Sequence, residues 1–147
     1  MKMFVSLFFT LVALQALANP VGVYYEPEQS EDEEGYSSPE KIIEVTSNAI
    51  KSEIVFNGAK IVESTPIRIQ GDKIVIVLKP IPETVWDCQG EQVTFDAVTE
   101  SGEYSISYKA DAQGLTLDVP GEGSSKFARA TAAQITRIRS LPACTRK

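Results

Sequence analysis

The stretch IVFNGAKIVE, residues 54–63, places Asn-Gly between two runs rich in β-branched residues. A type I′ turn needs positive φ at both central positions, and Asn57-Gly58 meets that need, making it a strong short hairpin signal. Two paired strands, 54–56 and 59–63, are expected around it.

Downstream the same grammar continues. Residues 65–70 alternate, with Ile67 and Ile69 on one face and Arg68 and Gln70 on the other, before Gly71-Asp72 turns the chain. KIVIVLK, residues 73–79, has five apolar residues in succession and reads as a strand covered on both faces. Pro80 and Pro82 suit an edge or connection. TVWDC, EQVTFDAV, EYSISYK and LTLDV each carry a period-two pattern, and short connections such as TESG and ADAQG separate them. Strands this close together form an antiparallel meander or small barrel, not βαβ units.

Two segments carry a helical period. Over residues 126–141, a 100° step gathers Phe127, Ile135, Ile138 and Leu141 on one side and Lys126, Arg129, Arg137 and Arg139 on the other. Arg137 and Arg139 fall in the expected last turn and Pro142 closes it, so a C-terminal amphipathic helix packed on the sheet is expected. Residues 39–51 fit a second helix, capped by Ser38 with Pro39 at its first position. The β-branched cluster Ile42, Ile43, Val45 and Thr46 suits a strand equally, and only the helical alternative would make the domain α+β.

Charge divides the 147-residue chain unevenly around its net −6. Residues 19–40 hold Glu26, Glu28, Glu31, Asp32, Glu33, Glu34 and Glu40 without a Lys or Arg. The end of the chain holds Lys126, Arg129, Arg137, Arg139, Arg146 and Lys147 without an acid. The acidic part, EPEQSEDEEGYSSPE at residues 26–40, lacks aliphatic residues, and the segment 19–38 reads as a disordered tether rather than as a cation chelator or polyanion mimic. Ahead of it, MKMFVSLFFTLVALQALA has a lysine, an apolar run and an Ala-x-Ala site, the features of a signal peptide over 1–18 cleaved after Ala18. The apolar run is short of the ~20 residues a spanning helix needs. Residues 39–147 then form a single β-rich domain, exported to a periplasm or secreted space and not membrane-spanning once the signal is removed.

With no histidine in the chain, a Ser-His-Asp or Cys-His arrangement is excluded, and two cysteines alone leave a zinc site short of ligands. Cys88 stands between Asp87 and Glu91, acids that disfavour a thiolate. An even count in an exported chain reads as a Cys88–Cys144 disulfide; the alternatives are free thiols or a bridge between chains. SPEK at residues 38–41 has Ser-x-x-Lys spacing but no Lys-Thr-Gly partner, and reads as a helix cap. A carboxylate pair for a hydrolase could be drawn from the clustered acids Glu83, Asp87, Glu91, Asp96 and Glu100, a reading placed last because such clusters arise without purpose in a chain with twenty acids. No phosphate loop is present, and the acidic balance argues against nucleic acid.

WDCQGEQVTF, residues 86–95, followed by Ser101, Gly102 and Tyr104, resembles the aromatic-x-Cys opening and Ser-Gly…Tyr loop of the periplasmic inhibitors of C-type lysozyme. Those are small disulfide-closed β-barrels, and the resemblance implies a loop at residues 101–104 that plugs a lysozyme cleft. One residue separates Gly102 from Tyr104 where that family has two, and the cysteine spacing and terminal helix also depart from its pattern. The expected function is a non-enzymatic, cofactor-free binding or inhibitor-like domain acting through a surface loop or sheet face. The alternative is a structural adaptor whose basic helix meets an anionic envelope component. Candidate binding residues are Ser101, Gly102 and Tyr104 for the first, and Lys126, Arg129 and Arg137 for the second.

Overall fold

The computed structural model describes residues 19–35 and 37–147. The expected signal peptide lies outside them. Eight strands close an antiparallel barrel: β1 (Gly22–Glu26), β2 (Lys41–Val45), β3 (Ala49–Phe56), β4 (Ala59–Gln70), β5 (Lys73–Leu78), β8 (Gly102–Ala110), β9 (Gly114–Val119) and β10 (Gly123–Arg129). Between β5 and β8 the chain makes an excursion, β6 (Thr84–Cys88) and β7 (Glu91–Phe95), which joins β11 (Thr145–Arg146) in a separate three-stranded sheet. One helix, α1 (Ala132–Arg139), packs outside the barrel against β2 and β3. No helix among the described residues is long and apolar enough to cross a membrane.

The turns follow the sequence closely. Asn57 and Gly58 have φ of 49° and 74°, the positive pair a type I′ turn requires, and Phe56 lies opposite Ala59. The two expected strands after this turn are one: residues 59–63 and 65–70 form the twelve-residue β4. As expected, β5 lies between two partners, β4 and β8, and buries Ile74 on one face and Val75 on the other.

Tyr24, Ile43, Val45, Ile67, Ile74, Tyr108 and Leu115 fill the barrel, as suits an eight-stranded barrel whose lumen is wide enough only for side chains. A second cluster joins the barrel to the small sheet: Ala59, Ile61, Cys88 and Cys144, with Phe56, Trp86, Val93 and Phe95 packed around them. The two hairpin tips meet there, Asn57 Nδ2 donating to the Cys88 and Gln89 carbonyls at 3.0 and 3.2 Å. Phe56 and Phe95 meet edge to face at 6.5 Å between ring centroids.

Three expectations are corrected. Residues 39–51 are not helical: β2 and β3 occupy them, because the β-branched cluster serves both faces, Ile43 and Val45 in the barrel and Ile42 buried on the side that α1 covers. The acidic tether is not disordered from its start: Gly22–Glu26 is a barrel strand between β2 and β10, and Tyr24 is wholly buried, its hydroxyl donating to the Pro20 carbonyl at 2.8 Å. Its hydrophobic content, Val23 and the tyrosines, outweighs the acids that follow it. Gln29 and Ser38 pair as well, drawing the acidic stretch into a loop between β1 and β2.

The C-terminal helix is half the expected length. Lys126 and Arg129 belong to β10, where Phe127 faces Leu115 across the ladder, and the helix begins only after Thr131. Thr131 accepts from the Gln134 backbone while the Gln134 side chain accepts from the Thr131 backbone, a capping box.

Cys88 and Cys144 are bonded, 56 residues apart in sequence with Cα atoms 4.5 Å apart. Closing that loop removes about 4 kcal/mol of unfolded-chain entropy. Replacing both cysteines by alanine is expected to lower unfolding free energy by that order, measured by urea denaturation of the oxidised protein and the variant.

Candidate functional site

The outer face of β8, β9, β10 and β1 carries a groove of about 570 Å³ lined by Tyr25, Pro27, Lys109, Thr116, Lys126 and Phe127 among others. Ladder register explains the grouping. Thr116 lies opposite Lys109 on one side and Lys126 on the other, so the two lysines occupy one cross-strand row, with Cα atoms roughly 10 Å apart at two strand spacings. Gly114 and Ala128 keep the middle of this face low. A Cβ on Gly114 would run into the Phe127 carbonyl, so the close approach of β9 and β10 depends on that glycine.

Both lysines are exposed, and neither forms an ion pair among the described residues. The acid in the groove, Asp111, is turned to its own loop: its carboxylate accepts from the Gln113 and Gly114 backbone at 2.8 and 3.0 Å. Two uncompensated cations on a chain of net −6 are the groove's main electrostatic feature.

The other basic candidates are occupied. Arg129 stacks over the Tyr24 ring at 4.8 Å and donates to the Asp111 carbonyl. Arg137 donates twice to Glu40, at 2.8 and 2.7 Å, and Arg139 reaches Glu44 at 3.0 Å and Glu53 at 3.2 Å. The arginines expected on a solvated outer face of the helix therefore dock it onto an acidic row of β2 and β3, around the fully buried Ile138. Gly102 and Tyr104 sit in β8 opposite Leu78 and Ile76, and Arg68 grips Glu103 between them, donating from Nη2 at 2.9 Å. Ser101 is exposed just before that strand. This placement departs from the free loop implied by the resemblance to lysozyme inhibitors.

Lys109 was not among the sequence candidates. Its signal was there: in EYSISYK it alternates with Tyr104, Ile106 and Tyr108, which marks it as outward-facing. Among the described residues, no three or more His, Cys, Asp or Glu side chains gather as metal ligands. No protein family, no curated protein and no solved structure matches the chain.

The ionic seam beside the groove is sensitive to acid. The Arg137 guanidinium holds the Glu40 carboxyl below its ordinary value, against the opposing effect of burial. The hydrogen bond to Glu40 pushes the Tyr25 phenol up, across a 2.6 Å contact. Burial opposes ionisation of Glu53, yet hydrogen bonds from Lys60 and Arg139 outweigh it and the carboxyl is also held low. Carboxyls lowered on folding contribute fully above the unfolded value near 4.3 and lose that contribution as pH falls through the lower folded values.

Stability should accordingly be flat from neutral pH to about pH 5 and fall below about pH 4. Glu53 is 5% and Lys60 12% exposed, so Glu53→Gln strands a nearly buried ammonium; a loss of about 3 kcal/mol at pH 7 is expected. The same variant should show a shallower decline in acid, measured by urea unfolding at stepped pH.

Proposed function

We propose that this chain is an exported, non-enzymatic binding domain that captures an anionic partner in the groove between β8 and β1. The observation that carries the reading is the row Lys109-Thr116-Lys126, whose two cations lack acid partners in a groove also lined by Tyr25 and Pro27. Elsewhere Arg137 and Arg139 are spent on internal pairs with Glu40, Glu44 and Glu53. A groove with cationic walls and an apolar floor suits a carboxylate or phosphate attached to an apolar body.

Export is supported by the signal-like residues 1–18 and by the disulfide, which persists in oxidising compartments. The absence of histidine from the whole sequence supports a binding role over acyl-transfer catalysis. The adaptor reading built on the helix loses its footing, since Arg137 and Arg139 are held by the barrel's own acids.

The test uses defined anionic probes, phosphatidylglycerol vesicles and a long-chain fatty acid, with phosphatidylcholine vesicles as control. Binding should weaken with salt and fall at least tenfold when Lys109→Glu and Lys126→Glu are combined. Arg68→Gln, outside the groove, should leave binding unchanged. Equal binding by the double variant, or equal binding to the neutral vesicles, would count against the groove.

A further inference from the structure

β4 is paired with β3 over its first eight residues, while its other edge is paired only at its ends. β3 accompanies it from Ala59 to Pro66. On the opposite edge, Lys60 exchanges hydrogen bonds with the C-terminal segment, its N–H donating to the Pro142 carbonyl at 2.9 Å and its carbonyl accepting from Cys144 at 2.8 Å. β5 takes up the edge again only at Ile67–Gln70. Backbone groups alternate in direction along a strand, so Val62 and Ser64 point the same way as Lys60, and neither has a partner there among the described residues. The gap between Lys60 and Arg68 spans about 26 Å of strand.

The gap opens onto a cleft of about 250 Å³ whose far wall is the small sheet, with Thr84, Trp86, Ile81 and Arg146. Three features of that wall lack partners. The Trp86 indole N–H is buried with no hydrogen-bond acceptor. Arg146, directly across from Trp86 in the β11–β6 ladder, forms no ion pair among the described residues. Ile81, on the same wall, is 52% exposed, and Val62, across the cleft on β4, is 39% exposed. An unpaired strand edge, an orphaned donor, a free guanidinium and apolar side chains thus share one cleft.

We propose that this cleft accepts an extended peptide of a partner protein, added as a strand to β4 between Lys60 and Arg68, with a carboxylate of the peptide at Arg146. The edge already binds peptide backbone at both ends, from the chain's own residues 142–144 and from β5, so the open middle lies between two existing backbone pairings. Val62 and Ser64 each supply an amide donor and a carbonyl acceptor, which only another backbone satisfies in register. The guanidinium selects the carboxylate, and the exposed Val62 and Ile81 take an apolar side chain from every second peptide residue. Glu63, the one acid of the lining, disfavours a run of acids in the peptide. This site does not depend on the groove at β8–β1.

Trp86 is the chain's only tryptophan, so its fluorescence reports occupancy directly. The probe is an N-acetylated octapeptide of alternating threonine and valine, with either a free or an amidated C-terminus, titrated into the oxidised full-length protein. Saturable change in Trp86 emission is expected, with the amide peptide bound at least fivefold more weakly. Arg146→Gln should weaken the free-acid peptide by the same factor and leave the amide peptide unchanged, the pattern of a shared carboxylate contact.

Ser64→Pro removes an outward N–H while sparing the β3 ladder, and should abolish both responses with circular dichroism unchanged. Should that variant misfold, N-methylation of alternate peptide amides gives the same test from the ligand side, and one of the two methylation registers should abolish binding. Binding indifferent to both the variant and methylation would overturn the proposal, as would no emission change at millimolar peptide. A dimer in sedimentation that Ser64→Pro dissolves would assign the edge to a second copy and overturn it as well.

Discussion

The type I′ turn at Asn57-Gly58 fixes the one hairpin on which the other parts of the molecule depend. With positive φ at both turn residues, β3 and β4 pair in strict register from Phe56–Ala59 to Ala49–Pro66. Neither neighbouring strand matches that length: β2 pairs β3 only up to Ile54, and β5 meets β4 only from Ile67. The tip consequently projects past the barrel, where Phe56, Ala59 and Ile61 would be exposed. The β6–β7–β11 sheet exists to cover them, and the disulfide secures that sheet by joining Cys88 on β6 to Cys144 beside β11. Glu53 and Lys60, which receive the helix, stand on the same hairpin.

Closure of the barrel poses the complementary requirement that no long edge remain. β1 meets it by pairing β2 along five residues and β10 along two, and Tyr24 fills the lumen at the seam. Arg129, at the end of β10, lies over the Tyr24 ring, and glycine at position 22 leaves it room, since a Cβ there would collide with the guanidinium. On the edge away from β3, the middle of β4 has no such strand beside it among the described residues. Pro66, which has no N–H to offer, limits how far a partner strand extends along it.

Acid and base are distributed to match this geometry. Glu40, Glu44 and Glu53 form a row on the outer face of β2 and β3, and Arg137, Arg139 and Lys60 answer it from α1 and β4. Because α1 buries only Ile138 completely, these pairs set its position more than apolar area does. Exposed pairs contribute little each, whereas Glu53 with two cationic donors is buried and would be costly to break. Local neutralisation of Arg137 and Arg139 leaves Lys109 and Lys126 as an unpaired row, on a face the sequence's charge blocks do not point to.

What was legible in the sequence is what local chemistry dictates. Asn57-Gly58 and Gly71-Asp72 both call for positive φ, and each is a two-residue turn in the structure, so strands and their connections followed. Composition misled where it averaged over opposites: the acids of residues 26–34 hid GVYYE, a strand whose first tyrosine, Tyr24, fills the core. Periodicity misled at residues 126–131, where Phe127 satisfies a helical arc and a strand alternation alike; the Thr131-x-x-Gln134 capping box was the local signal that separates them. The candidate sites were less legible still, for a physical reason. Whether Lys109 meets Lys126 depends on the register of three strands, and whether Val62 and Ser64 are free depends on where β5 stops pairing. Both are properties of long-range hydrogen-bond ladders, which no window of residues around those positions contains.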